Sequence, residues 1–326
     1  MAAFLLNAIM QKRKLGVKGP ELSVIGFGAW AIGGPWRWGW GAADKNESIR
    51  AIQCAVDLGV NWIDTAPVYG LGESERIVGQ AVKGRRDNIF IATKCGLRWK
   101  ENGDIYNDIS PQSIREEVEQ SLMRLDTDVI DLYQIHWPSA NQSEVRAVQE
   151  MQRLKKEGKI RWIGVSNFDV SLLKKSNKAV GLDSLQPPFN LFQREVEQDL
   201  LPFCKENGIG VLAYSPMFSG LLSGRFDKSK LAADDWRAKH AMFTDPQLST
   251  NLTFVDKLRS ISDSLEATVG QLAVAWVLHQ SAITSAIVGA RSVEQVKENV
   301  KAAECIIAEQ HIDEIEKICV DFARAK

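Results

Sequence analysis

Eight short apolar runs, each followed by a helical pattern, constrain the fold of this chain more than any other feature. Each run holds four to six residues, and all but the run at 184–187 include β-branched or aromatic side chains. Such runs are typical of strands that are buried on both faces of a parallel sheet. The runs cover residues 24–28, 61–65, 89–94, 131–136, 161–165, 184–187, 210–214 and 285–288.

Amphipathic helical patterns lie between these runs. Ser110 is a favoured helix cap, and Pro111 after it is a favoured first helical residue. Apolar residues then follow on one face as far as Leu125. Gly158 ends a second helix, which carries Val145 and Leu154. Further helices are predicted over residues 47–58, 73–82, 170–178, 195–206, 269–280 and 293–303.

Strand and helix therefore alternate eight times without a change in composition or a Pro/Gly/Ser-rich linker. This regularity predicts an α/β fold, a (β/α)8 TIM barrel, in a single domain over residues 1–326. Residues 217–268 form a long insertion after the seventh strand, with an extra helix near 254–265. A Gly-Pro turn at 19–20 predicts an N-terminal β-hairpin that closes the bottom of the barrel, and residues 1–10 are predicted to be a flexible extension.

An open dinucleotide-binding sheet is the alternative fold. It needs a Gly-x-Gly-x-x-Gly motif between a strand and a helix. After Gly26 and Gly28 the next glycine is Gly33, and no helical pattern begins there. The spacing therefore favours the barrel.

Composition excludes several classes of function. The formal net charge is −1, which gives no basic field for nucleic acid. No apolar stretch reaches the length of a membrane span. The five cysteines form no Cys-x-x-Cys pair and the four histidines lie outside ligand spacing of one another, so neither a disulfide framework nor a metal site is expected. We expect a cytoplasmic protein, with a monomer as the default.

Reactive side chains follow three consecutive strands of the predicted barrel. Asp64 ends the second strand, Tyr69 lies in the Gly-rich turn beyond it, Lys94 ends the third strand and His136 ends the fourth. Taken singly, each has a plain structural interpretation, such as a turn former, a surface lysine or a core histidine. Because the carboxyl ends of barrel strands meet at one face, together they predict an acid–base site.

The other strand ends also carry polar or aromatic motifs. In chain order, the motifs at or just beyond the strand ends are Asp64-Thr65-Ala66 with Tyr69-Gly70, Lys94, His136, Gly164-Val165-Ser166-Asn167-Phe168, Tyr214-Ser215-Pro216 with Gly220-Leu221-Leu222-Ser223-Gly224, and Gly289-Ala290-Arg291 with Gln295 and Asn299. Together they resemble the aldo-keto reductase superfamily, from about Lys12 to the end of the chain. The resemblance is closest to the bacterial-type branch, which is also similar to voltage-gated potassium channel β subunits.

This resemblance implies hydride transfer between the nicotinamide of NADPH and a carbonyl carbon. It assigns Tyr69 as the general acid that protonates the carbonyl oxygen, and His136 as a hydrogen-bond donor to that oxygen. Lys94 would lower the pKa of the phenol, and Asp64 would orient Lys94. A shift of about three units from the ordinary value of about 10 needs roughly 4 kcal/mol. The complete tetrad argues against a non-catalytic member of the family.

The resemblance also implies a cofactor site. Ser166, Asn167 and Gln186 would bind the nicotinamide carboxamide, Tyr214 would stack on the ring, and Arg291 would bind the 2′-phosphate, so NADPH is expected rather than NADH. The full set of implied cofactor-binding residues is Gly28, Trp30, Asp64, Ser166, Asn167, Gln186, Tyr214, Ser215, Pro216, Gly220, Gly224, Arg225, Gly289, Arg291, Gln295, Glu298 and Asn299.

Tryptophans on the predicted active-face loops suggest the walls of a substrate pocket. Trp36, Trp38 and Trp40 follow the first strand within the segment 35–41. Arg37 in this segment, with Arg98, leaves keto acids and sugars possible as substrates. The predicted substrate-binding residues are Trp30, Trp36, Trp38, Arg98, Trp99 and Trp137.

Three functions stay open at this stage. They are an NADPH-dependent reductase of aldehydes and ketones, an NADP-dependent polyol or sugar dehydrogenase, and a redox-sensing protein that resembles the channel β subunits and turns over slowly. A Schiff-base aldolase that uses Lys94 is a fourth, and the tetrad makes it unnecessary.

Overall fold

The computed structural model describes residues 10–232 and 235–324. Each of the eight predicted apolar runs forms a strand of one closed parallel barrel, so the (β/α)8 architecture is confirmed. The barrel strands are β3 (Ile25–Gly28), β4 (Trp62–Asp64), β5 (Phe90–Cys95), β8 (Ile130–Ile135), β9 (Ile160–Ser166), β10 (Ser184–Gln186), β11 (Gly210–Ala213) and β12 (Ile283–Gly289). Each strand pairs with the next in this order, and β12 pairs with β3 to close the ring.

Helices surround the barrel. They are α1 (Lys45–Asp57), α2 (Glu73–Ala81), α3 (Pro111–Leu125), α4 (Glu144–Lys156), α5 (Val170–Val180), α6 (Leu200–Asn207), α7 (Gln247–Lys257), α8 (Arg259–Ser264), α9 (Val269–His279), α10 (Val293–Val300) and α11 (Glu309–Arg324). Helix α3 begins as predicted, because the Ser110 side chain accepts a hydrogen bond from the Ser113 amide and Pro111 is the first helical residue. No helix of the described residues is long and apolar enough to cross a membrane.

Two helix predictions need correction, and one helix was missed. The helix expected over 195–206 is a 3₁₀ turn, Glu195–Glu197, followed by α6. Pro202 explains the break, since proline is tolerated only in the first turn of a helix. The single helix expected near 254–265 is the pair α7 and α8. Helix α11 was not predicted, although Ile312, Ile315 and Phe322 follow a helical spacing.

Two small hairpins lie at opposite ends of the barrel. The predicted N-terminal hairpin is present as the antiparallel pair β1 (Lys12–Lys14) and β2 (Glu21–Ser23). Leu15 and Leu22 beside it pack against Trp62 in a buried cluster, and so close the bottom. A second hairpin, β6 (Leu97–Trp99) and β7 (Ile105–Asn107), extends the loop after β5 and was not predicted.

The predicted extension over residues 1–10 lies outside the described residues, apart from Met10.

Candidate active site

Lys94 is the centre of a buried polar cluster at the carboxyl end of the barrel. Its ammonium is fully buried and donates to Asp64 Oδ2 at 2.6 Å, the Thr65 carbonyl at 3.0 Å and the Tyr69 hydroxyl at 3.2 Å. An ammonium has three N–H donors, so this geometry uses all of them. The structure therefore brings together the acid and phenol that follow the second barrel strand and the amine that ends the third.

Glycine lets the Tyr69 loop approach the loop after the first strand. Gly70 has a φ of +60°, and a Cβ there would lie 1.8 Å from the carbonyl oxygen of Gly33. Only glycine fits this contact without moving a backbone. The close approach fixes the peptide next to Tyr69.

The pKa of Tyr69 shifts in the direction opposite to that expected. Burial, and then the nearby Asp64 carboxylate, raise this pKa well above the usual value of 10. Burial also lowers the pKa of Lys94, although Asp64 opposes that change. The positive charge of Lys94 is paired with Asp64 at 2.6 Å, which leaves little of it to favour a phenolate. The phenol consequently keeps its proton at neutral pH, as a general acid must.

His136 faces Tyr69, with ring centroids 5.7 Å apart. Burial, and then the charge of Lys94, lower the pKa of His136 well below 6.5. The imidazole is therefore neutral at pH 7 and has one N–H to donate. Its backbone is held on both sides: the His136 amide donates to the Cys95 carbonyl at 2.9 Å, and Asn167 Nδ2 donates to the His136 carbonyl at 2.9 Å.

The four residues implied for the nicotinamide lie side by side. Gln186 Nε2 donates to Asp64 Oδ1 at 2.7 Å, and the Tyr214 hydroxyl donates to Asn167 Oδ1 at 2.8 Å. The described residues supply no hydrogen bond to Gln186 Oε1, although Gln186 lines the cleft. A buried amide with an open acceptor fits a ligand that brings an N–H, as a carboxamide does.

The segment implied for the pyrophosphate leaves the barrel at β11 as a 3₁₀ turn, Phe218–Ser223. Ser215, Ser219 and Gly220 all have positive φ, with Gly220 at +91°. Arg237 Nη1, from the long insertion, donates to the Ser219 carbonyl at 2.9 Å and holds this turn. Gly224 follows it, and Arg225 pairs with Glu298 at 2.9 Å.

Arg291 and its neighbours lie beyond the cleft lining. Arg291 Nη1 donates to the Trp40 carbonyl at 3.1 Å, and the guanidinium lies 5.8 Å from the Trp40 ring centroid. Gln295 Oε1 accepts from the Arg291 amide at 2.8 Å, and Asn299 Nδ2 donates to the Gly289 carbonyl at 3.1 Å.

A cleft of about 610 Å³ opens above this cluster. Most of the implied site residues line it. Those that do are Gly28, Trp30, Trp36, Trp38, Asp64, Tyr69, His136, Trp137, Ser166, Asn167, Gln186, Tyr214, Ser215, Pro216, Gly220 and Gly289.

Arg98 and Trp99 are corrections, because neither lines the cleft. Arg98 Nη1 donates to Glu116 at 2.9 Å, which directs the guanidinium towards α3. The Trp99 ring lies under the guanidinium of Arg124, at 5.9 Å. Leu97, the first residue of the same hairpin, faces the cleft instead.

Five tryptophans form the outer wall of the cleft, which we call the roof: Trp30, Trp36, Trp38, Trp40 and Trp236. Trp30 packs edge-on against Trp36, Trp40 and Trp236, with centroid separations of 6.4, 5.2 and 6.5 Å. Trp36 lies 5.8 Å from Tyr69. The roof therefore joins the loop after β3 to the insertion after β11.

Trp40 continues the i, i+2 spacing of Trp36 and Trp38 and was expected in the pocket wall with them. Sequence reasoning missed one member of the roof, Trp236. Trp236 lies well inside the insertion, where no local pattern indicates the cleft. Leu97, Val68 and Met217 also line the cleft and were not predicted.

A barrel with this buried Asp–Tyr–Lys–His cluster at its carboxyl end has the fold and site of an oxidoreductase. The Aldo/keto reductase family matches residues 24–319, and the chain belongs to this family. Its members use nicotinamide cofactors and act on small-molecule carbonyl compounds.

Several relatives match over almost the whole chain. The chain is 40% identical over 292 residues to "Aldo-keto reductase YhdN" of Bacillus subtilis (strain 168), which covers 88% of this chain and 87% of that protein. It is 38% identical over 306 residues to "NADH-specific methylglyoxal reductase" of Escherichia coli (strain K12), covering 90% and 93%. The glycerol dehydrogenase AKR11B4 from Gluconobacter oxydans superposes with a TM-score of 0.87 at 36% identity and covers 97% of this chain and 96% of that one.

The predicted similarity to channel β subunits is confirmed as well. The chain is 32% identical to the "Probable voltage-gated potassium channel subunit beta" of Arabidopsis thaliana, covering 95% of this chain and 96% of that protein.

Proposed function

We propose that the chain is an NADPH-dependent reductase of neutral aldehydes and ketones, with Tyr69 as its general acid. The observation that carries the proposal is the position of the Tyr69 hydroxyl, 3.2 Å from a buried ammonium and next to a neutral histidine. These groups border an aromatic cleft large enough for a nicotinamide and a small carbonyl compound.

The residues divide the work on the carbonyl oxygen. A nicotinamide cofactor, when bound, would supply the hydride for the carbonyl carbon. His136 donates a hydrogen bond that orients and polarises the oxygen. Tyr69 gives its proton to that oxygen as the negative charge develops, which completes the alcohol. Lys94 donates a hydrogen bond to the Tyr69 hydroxyl oxygen, which leaves the phenolic proton free to point at the substrate, and Asp64 keeps Lys94 charged and in place.

Ser166, Asn167 and Gln186 would hold the carboxamide, with Tyr214 against the ring. The pyrophosphate would follow the turn from Ser215 to Gly224.

The preference for NADPH rests on positive charge at the adenosine end. Arg225 and Arg291 are the guanidinium groups implied for that end, and a guanidinium binds a phosphate through paired hydrogen bonds. Arg225 is already paired with Glu298 at 2.9 Å, so the proposed preference rests mainly on Arg291. One relative is named as NADH-specific, so a preference of this chain for NADH is the alternative to test.

The walls of the cleft favour uncharged substrates. Arg98 is paired with Glu116, and Arg37 lies over the Trp38 ring at 5.0 Å. No Arg or Lys of the described chain lines the cleft, so a keto acid would enter without a cation to pair with. Planar and apolar carbonyl compounds match the tryptophan walls.

A polyol dehydrogenase is the second candidate, and the structural similarity to a glycerol dehydrogenase favours it. The free thiols of all five cysteines support a reducing, cytoplasmic location for either enzyme.

Steady-state rates separate these candidates. We expect kcat/KM for the reduction of 4-nitrobenzaldehyde by NADPH to be at least about tenfold above that for the oxidation of glycerol or xylitol by NADP⁺. A tenfold ratio corresponds to about 1.4 kcal/mol of activation free energy. The reverse ranking would favour the dehydrogenase. A single turnover with retained cofactor would favour the redox-sensing alternative.

A further inference from the structure

Glu117 is a buried carboxylate that contacts the active site only through the backbone. It lies on α3, outside the cleft lining, and is 3% exposed. Both carboxylate oxygens lie 3.1 Å from the Gly96 amide nitrogen, and the Ser113 hydroxyl donates to Oε1 at 3.0 Å. A side chain this buried needs partners for its charge, and its strongest partner is a single peptide N–H.

That N–H belongs to the peptide group between Cys95 and Gly96. The carbonyl of the same group accepts the His136 amide at 2.9 Å. Lys94 directly precedes Cys95 in β5. One peptide unit therefore joins Glu117 on one side to the backbone of His136 on the other, and it anchors the strand end that carries Lys94.

The local backbone keeps this peptide in place. Gly96 has a φ of +91°, and a Cβ there would lie 2.7 Å from Ile109 Cγ2, so glycine is required. The Gly96 carbonyl accepts the Asp108 amide at 3.0 Å, which closes the base of the β6–β7 hairpin. An anion at the N–H end of a peptide polarises it and strengthens its carbonyl as an acceptor.

We propose that Glu117 is a positioning residue that holds Lys94 and His136 in reactive geometry through the Cys95–Gly96 peptide. The expected effect of Glu117 on the reaction rate rests on the proposed function. Its expected effect on the backbone at His136 rests only on the contacts described above.

The surroundings of Glu117 make this role depend on pH. Arg98 faces it from the β6–β7 hairpin and Asp108 from the base of that hairpin, while Cys95 and Tyr133 face it from β5 and β8. Burial raises the pKa of Glu117 to about 7, although the hydrogen bonds from Gly96 and Ser113 favour the charged form and oppose this change. Protonation of Glu117 below that pH removes the charge that polarises the Cys95–Gly96 peptide. The kcat/KM for carbonyl reduction should therefore fall as the pH is lowered from 8 to 6.

Two substitutions test the proposal by activity. Glu117→Met should lower kcat at pH 8 by roughly tenfold, since a small displacement of catalytic groups has a large effect on rate. The KM for NADPH should stay within about twofold, because the site for the cofactor is not displaced. Glu117→Gln keeps an oxygen for the Gly96 amide, so it should retain more activity and lose the fall in kcat/KM between pH 8 and 6.

Glu150→Met is the matched control, because Glu150 is also a 3% exposed glutamate on a barrel helix, paired with Arg115 away from the cleft. An equal loss of kcat in this variant, or a wild-type pH profile in Glu117→Gln, would show that Glu117 acts only on stability and would overturn the proposal.

A second measurement does not need activity. Labelling with ¹⁵N-histidine gives only four backbone amide signals. Glu117→Gln and Glu117→Met should speed hydrogen exchange at His136 relative to the other three, and Glu150→Met should not. Unchanged exchange at His136 would contradict the positioning role. Faster exchange in a protein that reduces no carbonyl compound would support the positioning role and refute the reductase proposal instead.

Discussion

The floor and the roof of the cleft satisfy their hydrogen bonds very differently. We call the floor the lining residues Asp64, Tyr69, His136 and Gln186 together with Lys94, which is buried beneath them and does not itself line the cleft. All three donors of Lys94 are used, and both Asp64 oxygens accept hydrogen bonds at 2.6 and 2.7 Å. In the roof, the indole nitrogens of Trp36, Trp40 and Trp236 are buried and have no hydrogen-bond partner among the described residues.

This difference separates chemistry from recognition. Because Lys94 and Asp64 are fully paired, this ion pair is preorganised and need not rearrange when charge develops on the substrate oxygen. Each buried N–H without a partner costs roughly 1–3 kcal/mol. The indole rings of the roof are instead held by ring packing and by the guanidinium groups of Arg237 and Arg291 over Trp40. We infer that the floor fixes the reaction and the roof sets which carbonyl compounds enter.

The largest effect is expected when the floor loses its general acid, Tyr69. Tyr69→Phe should lower kcat by roughly 10²–10⁴-fold, because the carbonyl oxygen then lacks its proton donor. NADPH affinity should change little, which fluorescence titration would measure. Near-normal turnover would mean that another group supplies the proton.

The next effect concerns stability. Lys94→Met leaves Asp64 buried without its cation, which should lower the free energy of unfolding by about 3–5 kcal/mol. The double variant Lys94→Met/Asp64→Asn should recover part of that loss, since the unpaired charge is gone. Urea denaturation of both variants checks this. A double variant no more stable than the single one would show that the ion pair is not the source of the effect.

A smaller effect is expected at the adenosine end. Arg291→Ala should weaken NADPH by about 10–100-fold and leave NADH nearly unchanged, as expected for one charged hydrogen-bonding group of 1.5–3 kcal/mol. Arg237→Ala is the control, because Arg237 holds the Ser219 carbonyl and should affect both cofactors alike. Equal losses for both cofactors in Arg291→Ala would mean that Arg291 does not bind the 2′-phosphate.

The smallest effect is expected in the roof. Trp236→Ala should raise the KM for aromatic aldehydes by about tenfold with kcat nearly unchanged. This result is expected when a contact stabilises the bound substrate and the transition state equally. Trp99→Ala should leave KM unchanged, since Trp99 packs under Arg124 outside the cleft. A fall in kcat in Trp236→Ala would show that the roof also takes part in the chemical step.

The floor could be predicted from the sequence because it is built on strand ends. Periodicity gives the strands, and in a barrel their carboxyl ends meet, so Asp64, Lys94 and His136 had to lie together. Trp236 could not be found this way, since its position depends on how a long insertion folds back. The orientation of Arg98 was also hidden, because it depends on a partner, Glu116, supplied by a helix.

The direction of the Tyr69 pKa shift needed distances as well as identities. The sequence places a cation near the phenol, and from that alone a lowered pKa follows. The structure shows that the nearest carboxylate binds this cation more closely than the phenol does, and that burial acts on the phenol itself. Residue types alone do not reveal which of these effects is larger.

A single-turnover reaction of 4-nitrobenzaldehyde with NADPH deuterated at the transferred position tests the central claim most directly. In the wild type we expect deuterium on the former aldehyde carbon, and in Tyr69→Phe we expect bound cofactor and almost no transfer. Product without deuterium on that carbon, or transfer in Tyr69→Phe at the wild-type rate, would contradict the account.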